Sequence, residues 1–253
     1  MDKTCEHSET CGMEFCQPVI RDNVECPYYQ KKLKPILFNT EMVRAILDGR
    51  KTVTRRLVKP QPEFREGETG TPERCDDGHW CFKIDQYRNT YEFDLKPPYD
   101  PGDVLYVRET FTKLYYVDPN GYTHWDQFMY YYAADGTPDI TLVDGDGFEE
   151  DDQRIRWCPS IHMPKEIARI FLRVTKVWME RLQDITADEC PMEGVWPLHA
   201  GTVGTRESFY KKSFAELWDS TIKKSDLPSC GWDANPYVWR IKFEKISKEE
   251  ATK

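Results

Sequence analysis

Apolar residues recur at helical spacing directly after residue 38 of the chain. They are Met42, Val43, Ile46 and Leu47. Asn39 or Thr40 can cap the start of this helix with a side-chain oxygen, and Gly49 can end it in the left-handed conformation. We therefore predict an amphipathic helix over residues 41–48, which sets the direction in which the next residues leave it.

Most of the other patterned segments predict strands. Short apolar or alternating runs indicate strands within residues 33–38, 79–84, 91–95, 104–109, 167–178 and 232–246. Two more helices are predicted, a short one over residues 187–193 that ends near Gly194 and a longer one over residues 206–221. Residues 59–73 are rich in proline and glycine and predict a loop. Together these segments indicate an α+β fold.

Composition supports a folded core and sets the domain boundaries. The chain has 253 residues, of which 39% are hydrophobic and 13% are aromatic, so it can bury a sizeable core. We expect one domain over residues 33–246, with large loop insertions at residues 59–95 and 113–156. Residues 1–32 form an N-terminal extension and residues 247–253 a charged tail.

The charge balance bears on the kind of partner. The formal net charge is -9 and the sequence pI is about 5.2, which argues against a general surface for duplex DNA, because phosphate neutralisation needs clustered cations. No apolar run approaches bilayer length, and the N-terminus lacks an apolar signal core. We therefore expect a cytoplasmic protein without a membrane partner.

The nine cysteines are expected to be free thiols or metal ligands. The sequence shows no secretion signal, which would have implied an oxidising compartment and disulfides. The N-terminal extension holds His7 and four candidate zinc ligands, which are Cys5, Cys11, Cys16 and Cys26. A structural zinc ion would stabilise this apolar-poor segment; a tail with unpaired thiols is the alternative. A second candidate group is Cys75, His79 and Cys81, for which packing and solvent contacts are the alternative.

Two other segments carry candidate site residues. The strand predicted at residues 104–109 places Arg108 and Glu109 on opposite faces. A buried member of this pair needs a partner, because an unpaired buried charge is costly; a solvent-exposed strand end is the alternative. His162 lies between two prolines, so its ring can be held at a pocket wall, and a hydrogen-bonded core histidine is the alternative.

The most unusual polar segment is residues 50–56, directly after the first predicted helix. It holds four cations and two threonine hydroxyls within an acidic chain. A local reversal of charge at the end of a packed helix indicates a site for an anion or another polar ligand.

With these segments located, the sequence resembles the ASCH domain family of the PUA-like superfamily, in particular its longer phage and prophage members. The matching segments, in family order, are residues 46–56, 101–110, 159–164, 188–195 and 232–243. The resemblance implies a curved, mixed β-barrel flanked by short helices. It also implies a cleft where the first helix meets the sheet.

The resemblance further implies an amidohydrolase that removes the acyl group from N4-acylated cytosine nucleosides. Its lysine, threonine and glutamate fall on Lys51, Thr54 and Glu193. A threonine hydroxyl needs a base, and a lysine can be that base if desolvation or a nearby cation lowers its pKa. Glu193 would orient the lysine or pass a proton to the leaving amine. No cofactor is expected for this catalysis.

The substrate-binding candidates are Arg56, Tyr106, Arg108, Glu109, His162 and Trp239. Arg56 can bind a carbonyl or phosphate oxygen, and Tyr106 or Trp239 can stack on a base. In an ideal strand Lys51 and Thr54 would point to opposite faces, so the catalytic hypothesis needs a turn or bulge between them. Two alternatives stay open, a non-catalytic RNA-binding module of the PUA-like type and a phage accessory protein that has lost the chemistry.

Overall fold

The computed structural model describes residues 33–64, 70–75, 80–84, 89–93, 95–118, 121–139, 154–196 and 205–252, and more of these residues lie in strands than in helices. The strands are β1 Lys34–Leu37, β2 Val53–Leu57, β3 Gly70–Arg74, β4 Trp80–Ile84, β5 Asn89–Phe93, β6 Val104–Arg108, β7 Phe111–Val117, β8 Thr123–Tyr132, β9 Phe171–Arg181 and β10 Tyr237–Ile246. The helices are α1 Thr40–Leu47, α2 Arg206–Thr221, α3 Leu227–Cys230 and α4 Lys248–Ala251. The predicted α+β class is confirmed.

Helix α1 forms where the apolar spacing predicted it. The side chain of Asn39 accepts a hydrogen bond from the backbone N–H of Met42 at 2.9 Å, which caps the first turn. Gly49 follows the helix with a φ of 75°, a conformation that costs other residues more than glycine. The apolar side of α1, including Val43 and Ile46, is buried and packs on the main sheet.

The main sheet has five strands in the order β1-β6-β9-β10-β2. β1 pairs with β6 in parallel, and the other neighbours are antiparallel. The predicted alternation of β6 is confirmed, because Leu105 and Val107 lie in the core with α1, whereas Val104 packs in a separate cluster with Phe111 and Met163. Helix α2 covers another part of the sheet through a buried cluster that includes Phe214, Trp218 and Val238.

The edge strands β1 and β2 approach each other beside α1. The guanidinium of Arg56 on β2 donates a hydrogen bond to the carbonyl oxygen of Leu37 on β1 at 3.0 Å. No backbone ladder joins β1 to β2 in the described sheet, so this contact bridges an edge that stays open. The PUA-like barrel therefore remains a prediction.

Both predicted insertions contain regular structure. Strands β3, β4 and β5 form an antiparallel sheet, and β7 pairs with β8 as a hairpin. The prediction of a loop over residues 59–73 is wrong where β3 forms. Gly70 and Pro72 are tolerated there because β3 is an edge strand, where proline need not donate to a ladder. Trp80 and Phe82 of β4 join the main core.

Cys75 and Cys81 are joined by a disulfide between the end of β3 and β4. The expectation of free thiols or metal ligands is therefore wrong for this pair, since the short hairpin places the two side chains together. The predicted N-terminal zinc ligands and His79 lie outside the described residues. No helix in the described ranges combines the length and apolar character needed to cross a bilayer.

Candidate functional site

Lys51 lies in the short connection between α1 and β2, and its ammonium group is buried. The backbone N–H groups of Arg50 and Lys51 both donate to the carbonyl oxygen of Ala45 at 2.9 Å, which turns the chain away from the helix. Lys51 Nζ donates to the Val53 carbonyl oxygen at 2.9 Å, to the Glu193 carbonyl oxygen at 2.7 Å and to Glu193 Oε2 at 2.9 Å. All three ammonium protons therefore have acceptors.

Glu193 reaches this position because a tight turn runs along the outer edge of β2. The turn is the 3-10 helix Pro191–Glu193, followed by Gly194 with a φ of 84°. Thr52 N–H donates to the Met192 carbonyl oxygen at 2.9 Å and ties the turn to the start of β2. A Cβ atom on Gly194 would lie 3.0 Å from Ala45 Cβ. The positive φ therefore favours glycine, and a side chain here would also crowd Ala45.

Arg55 connects Glu193 to two further glutamates. Its Nη1 donates to Glu193 Oε1 at 2.9 Å, its Nε to Glu180 Oε1 at 2.8 Å and its Nη2 to Glu189 Oε2 at 3.0 Å. Arg240 contacts the same two glutamates, Glu180 at 3.3 Å and Glu189 at 2.5 Å. We call Lys51, Arg55, Arg240, Glu180, Glu189 and Glu193 the charge network.

Burial controls the electrostatics of Lys51. Loss of solvent lowers the pKa of the Lys51 ammonium, and this effect exceeds the opposing attraction and hydrogen bond from Glu193. The positive charges of Arg56 and Arg55 lower the pKa further. A lysine in such surroundings can release its proton more readily than an exposed lysine and act as a base.

A cavity of about 150 Å³ opens above this lysine; we call it the Lys51 cavity. Its polar wall is formed by Lys51, Thr54, Arg55, Arg56 and Glu193. Its apolar wall includes Phe38 and Met42 from the α1 side and Phe214 and Trp218 from α2. The cavity therefore lies at the edge strand β2, between two helices.

Thr54 on β2 lines the Lys51 cavity, and only 2% of its surface is exposed. Among the described residues, its hydroxyl has no hydrogen-bond partner, and Lys51 Nζ instead contacts Val53 and Glu193. The catalytic hypothesis needs a turn or bulge between Lys51 and Thr54, and residues 53–57 of β2 pair with β10 in regular register, without a bulge. Lys51 precedes the strand, so strand alternation does not fix the direction of its side chain.

Arg56 is the predicted substrate-binding residue that lines the Lys51 cavity. It lies on the same face of β2 as Thr54, two positions further along. Its guanidinium stacks on the Phe38 ring, with Cζ 5.2 Å from the ring centroid. Burial lowers the pKa of this guanidinium, opposed by Tyr99 and Glu193.

The other predicted binding residues do not line the Lys51 cavity. The Trp239 ring is buried against Trp80, with centroids 5.3 Å apart, so it has no free face for a base. Tyr106 is half-buried against a different core cluster. The predicted assignment of Trp239 and Tyr106 as stacking residues thus has no support from their packing.

Arg108, Glu109 and His162 gather at the far end of β6. The Arg108 guanidinium donates to the carbonyl oxygens of Ile161 and Met163, which fixes the turn that carries the exposed His162. Glu109 is buried and accepts two hydrogen bonds from Arg169. These contacts hold the loop before β9 in place and account for Arg108 and Glu109 without a ligand.

The sequence reasoning missed the glutamates and the arginine that complete the charge network. Glu180 and Arg240 occupy positions on long strands where charge alternates with buried apolar residues. Arg240 lies directly opposite Arg55 in the β10–β2 register. Two arginines on neighbouring strands would repel each other without acidic partners, and that repulsion is the signal that points to Glu180 and Glu189.

A larger cleft of about 470 Å³ shares only Lys51 with the Lys51 cavity. Ile46 and Phe243 form its apolar part, and Lys242 and Lys245 are exposed beside them. No three histidine, cysteine, aspartate or glutamate side chains among the described residues lie close enough together to hold a metal ion.

Comparisons of the chain with protein-family models, with curated proteins and with solved structures found no match.

Proposed function

We propose that the Lys51 cavity hydrolyses an amide bond and removes the acyl group from N4-acylated cytosine nucleosides, as the ASCH resemblance implies. The observation that carries this proposal is the meeting of Lys51, Thr54 and Glu193 at one cavity, although Glu193 is far from the other two in sequence. A desolvated amine, an unengaged hydroxyl and a carboxylate are the groups that acyl transfer needs.

In the first half of the reaction, Thr54 Oγ1 attacks the acyl carbon and its proton passes to the neutral amine of Lys51. A neutral amine has two protons, so it gives up one of its three acceptors and turns its lone pair towards Thr54. The bond between the acyl carbon and N4 then breaks, and the proton on Lys51 moves to N4. The free cytosine nucleoside leaves, and the acyl group stays on Thr54 as an ester.

In the second half, water attacks the ester carbon and gives a proton to Lys51. The bond between the acyl carbon and Thr54 Oγ1 breaks, the proton returns to Thr54, and the carboxylic acid leaves. Glu193 does not react in this scheme. Its side-chain and backbone oxygens hold Lys51 Nζ, while Arg55 holds the carboxylate in place.

The size of the Lys51 cavity limits which part of the substrate enters. A volume of about 150 Å³ suits the acylated amide and part of the base. The sugar would lie over the rim, where Leu37, Asn39 and Thr221 are exposed. We therefore expect the acyl group to determine specificity more strongly than the sugar.

The test follows the loss of N4-acetylcytidine by ultraviolet absorbance in wild type and three variants. Thr54→Val should lower kcat by at least about 10³-fold because the nucleophile is gone, and Thr54→Ser should retain measurable turnover. Thr52→Val changes a neighbouring hydroxyl outside the Lys51 cavity and should stay near wild type. Intact mass of the quenched reaction should show an acylated protein only when residue 54 carries a hydroxyl.

Absence of turnover over a panel of N4-acylated cytidines would overturn the proposal. Turnover that survives Thr54→Val would overturn the assignment of the nucleophile. Tight binding of RNA without turnover would favour the RNA-binding alternative, and that binding should weaken as salt rises.

A further inference from the structure

The positive and negative charges of the charge network are equal in number. Its three cations each contact at least one of its three carboxylates. These pairs are Lys51–Glu193, Arg55 with Glu180, Glu189 and Glu193, and Arg240 with Glu180 and Glu189. An additional negative group would find no uncompensated cation within the network itself.

Arg56 stands apart from this balance although it lines the same cavity. No carboxylate of a described residue lies within 4.0 Å of its guanidinium, and its contacts are neutral. Nη2 donates to the Leu37 carbonyl oxygen at 3.0 Å, and Nη1 donates to the Arg55 carbonyl oxygen at 3.4 Å. A guanidinium carries five N–H donors, so three remain for a ligand.

The aromatic ring of Phe38 brings a second cation close to Arg56. Lys51 Nζ lies 5.4 Å from the ring centroid, and Arg56 Cζ lies 5.2 Å from it. The two positive groups repel each other, and the charge of Arg56 is one reason why the pKa of Lys51 is lowered. An anion at this end of the cavity would attract both cations and offset the desolvation of Arg56.

We propose that Arg56 forms an anion subsite of the Lys51 cavity, so that the natural ligand is not a bare nucleoside but also carries a phosphate or carboxylate group. The planar fork of a guanidinium matches two oxygens of such a group. Arg56 bridges the open edge between β1 and β2, so the anion would sit at the mouth of the cavity and the remainder of the ligand would point inward. The inference that the rest of the ligand carries an amide rests on the proposed function. The inference of an anion subsite does not depend on it.

The test measures binding of non-hydrolysable ligands by calorimetry at low ionic strength. Cytidine is compared with cytidine 5′-monophosphate, and inorganic phosphate and acetate are titrated separately to distinguish the two kinds of anion. Wild type should bind the anion-bearing ligand that it prefers at least about tenfold more tightly than it binds uncharged cytidine, because charge-assisted hydrogen bonds are strong. R56Q should remove this advantage, and R56K should keep part of it.

R50Q is the matched control. Arg50 lies in the same connection but is exposed, pairs with Asp48 at 2.8 Å and lines neither described cavity. R50Q removes one positive charge from the same segment and should keep the full preference. A preference that falls equally in R50Q and R56Q would reflect general charge and would overturn the subsite.

Measurements on wild type alone also test the proposal, so it can be tested even if R56Q fails to fold. Sodium chloride should reduce the anion preference in wild type because added ions screen a partly exposed charge. Equal affinity for charged and uncharged ligands in wild type, or a preference that persists in folded R56Q, would overturn the subsite. Anion binding that depends on Arg56 in a protein that does not hydrolyse the amide would support the subsite and overturn the proposed function. Amide hydrolysis without Arg56-dependent anion binding would support the proposed function and overturn the subsite.

Discussion

Two buried glutamates lie at opposite ends of the main sheet, and both pair with arginine. Glu193 contacts Lys51 and Arg55 beside β2. Glu109 follows β6, and both of its oxygens accept hydrogen bonds from Arg169 at 2.9 Å. The exposed fractions of the two glutamates are 3% and 1%. Burial of a carboxylate therefore does not distinguish the two regions.

The difference lies in what surrounds each glutamate. Arg169 donates two further hydrogen bonds to Asp135 and stacks on the ring of Tyr132, with its Cζ 4.0 Å from the ring centroid. Glu109 lines neither described cavity, and its cationic partner is an arginine, which keeps its proton in proteins. Glu193 instead holds a lysine that can lose its proton, next to a cavity. A buried ion pair points to chemistry only when a titratable group and space for a ligand accompany it.

The largest effect should come from Glu193→Gln. This change leaves the buried ammonium of Lys51 with neutral acceptors only, and removing one partner of a buried pair typically costs about 3–5 kcal/mol. Denaturant unfolding monitored by tryptophan fluorescence measures the loss. Glu244→Gln, which changes an exposed ion pair with Arg173, should alter stability by less than about 1 kcal/mol. Equal losses would show that the Lys51 contact contributes little.

Glu109→Gln should have a smaller effect, about 1–3 kcal/mol. Arg169 keeps its contacts with Asp135 and is partly exposed to solvent, so its charge still has an acidic partner and contact with water. The same unfolding experiment provides the stability, and ligand binding at the Lys51 cavity should be unchanged. A loss of binding in this variant would mean that the two regions are coupled, contrary to the comparison.

The sequence predicted the elements whose apolar spacing is regular. The bounds of α2 match the prediction of residues 206–221, and α1 is capped by Asn39 as expected. β3 was missed because Gly70 and Pro72 indicate a loop wherever the position of a strand in its sheet is unknown. Whether a strand lies at an edge is a tertiary property, and local patterns do not contain it.

The candidate site was predicted unevenly for the same reason. Lys51 and Thr54 belong to one short segment, so a motif contains both. The contacts of Arg55 with Glu180 and Glu193 join residues 125 and 138 positions apart, and only the folded sheet brings them together. Trp239 was assigned to the site because its ring can stack on a base, but the sequence does not show what covers that ring in the fold. The β4 hairpin covers it through Trp80.

The smallest expected effect is a pH-dependent difference between wild type and Lys51→Met. Burial lowers the pKa of Lys51 in the folded protein below its ordinary value, so between these two pKa values the unfolded chain binds more protons. Stability must therefore rise with pH in that window, with a slope of at most about 1.4 kcal/mol per pH unit, and level off above roughly pH 10.4. Lys51→Met lacks this contribution.

The measurement is the difference in free energy of unfolding between wild type and Lys51→Met from neutral to alkaline pH. Subtracting the variant cancels the tyrosines, whose titration is common to both proteins. Lys223→Met, which changes an exposed lysine, should give a flat difference over the same range. A flat difference for Lys51→Met as well would mean that its folded pKa is ordinary. That result would remove the evidence that Lys51 is adapted to act as a base, and the contrast between the two glutamates would lose its chemical meaning.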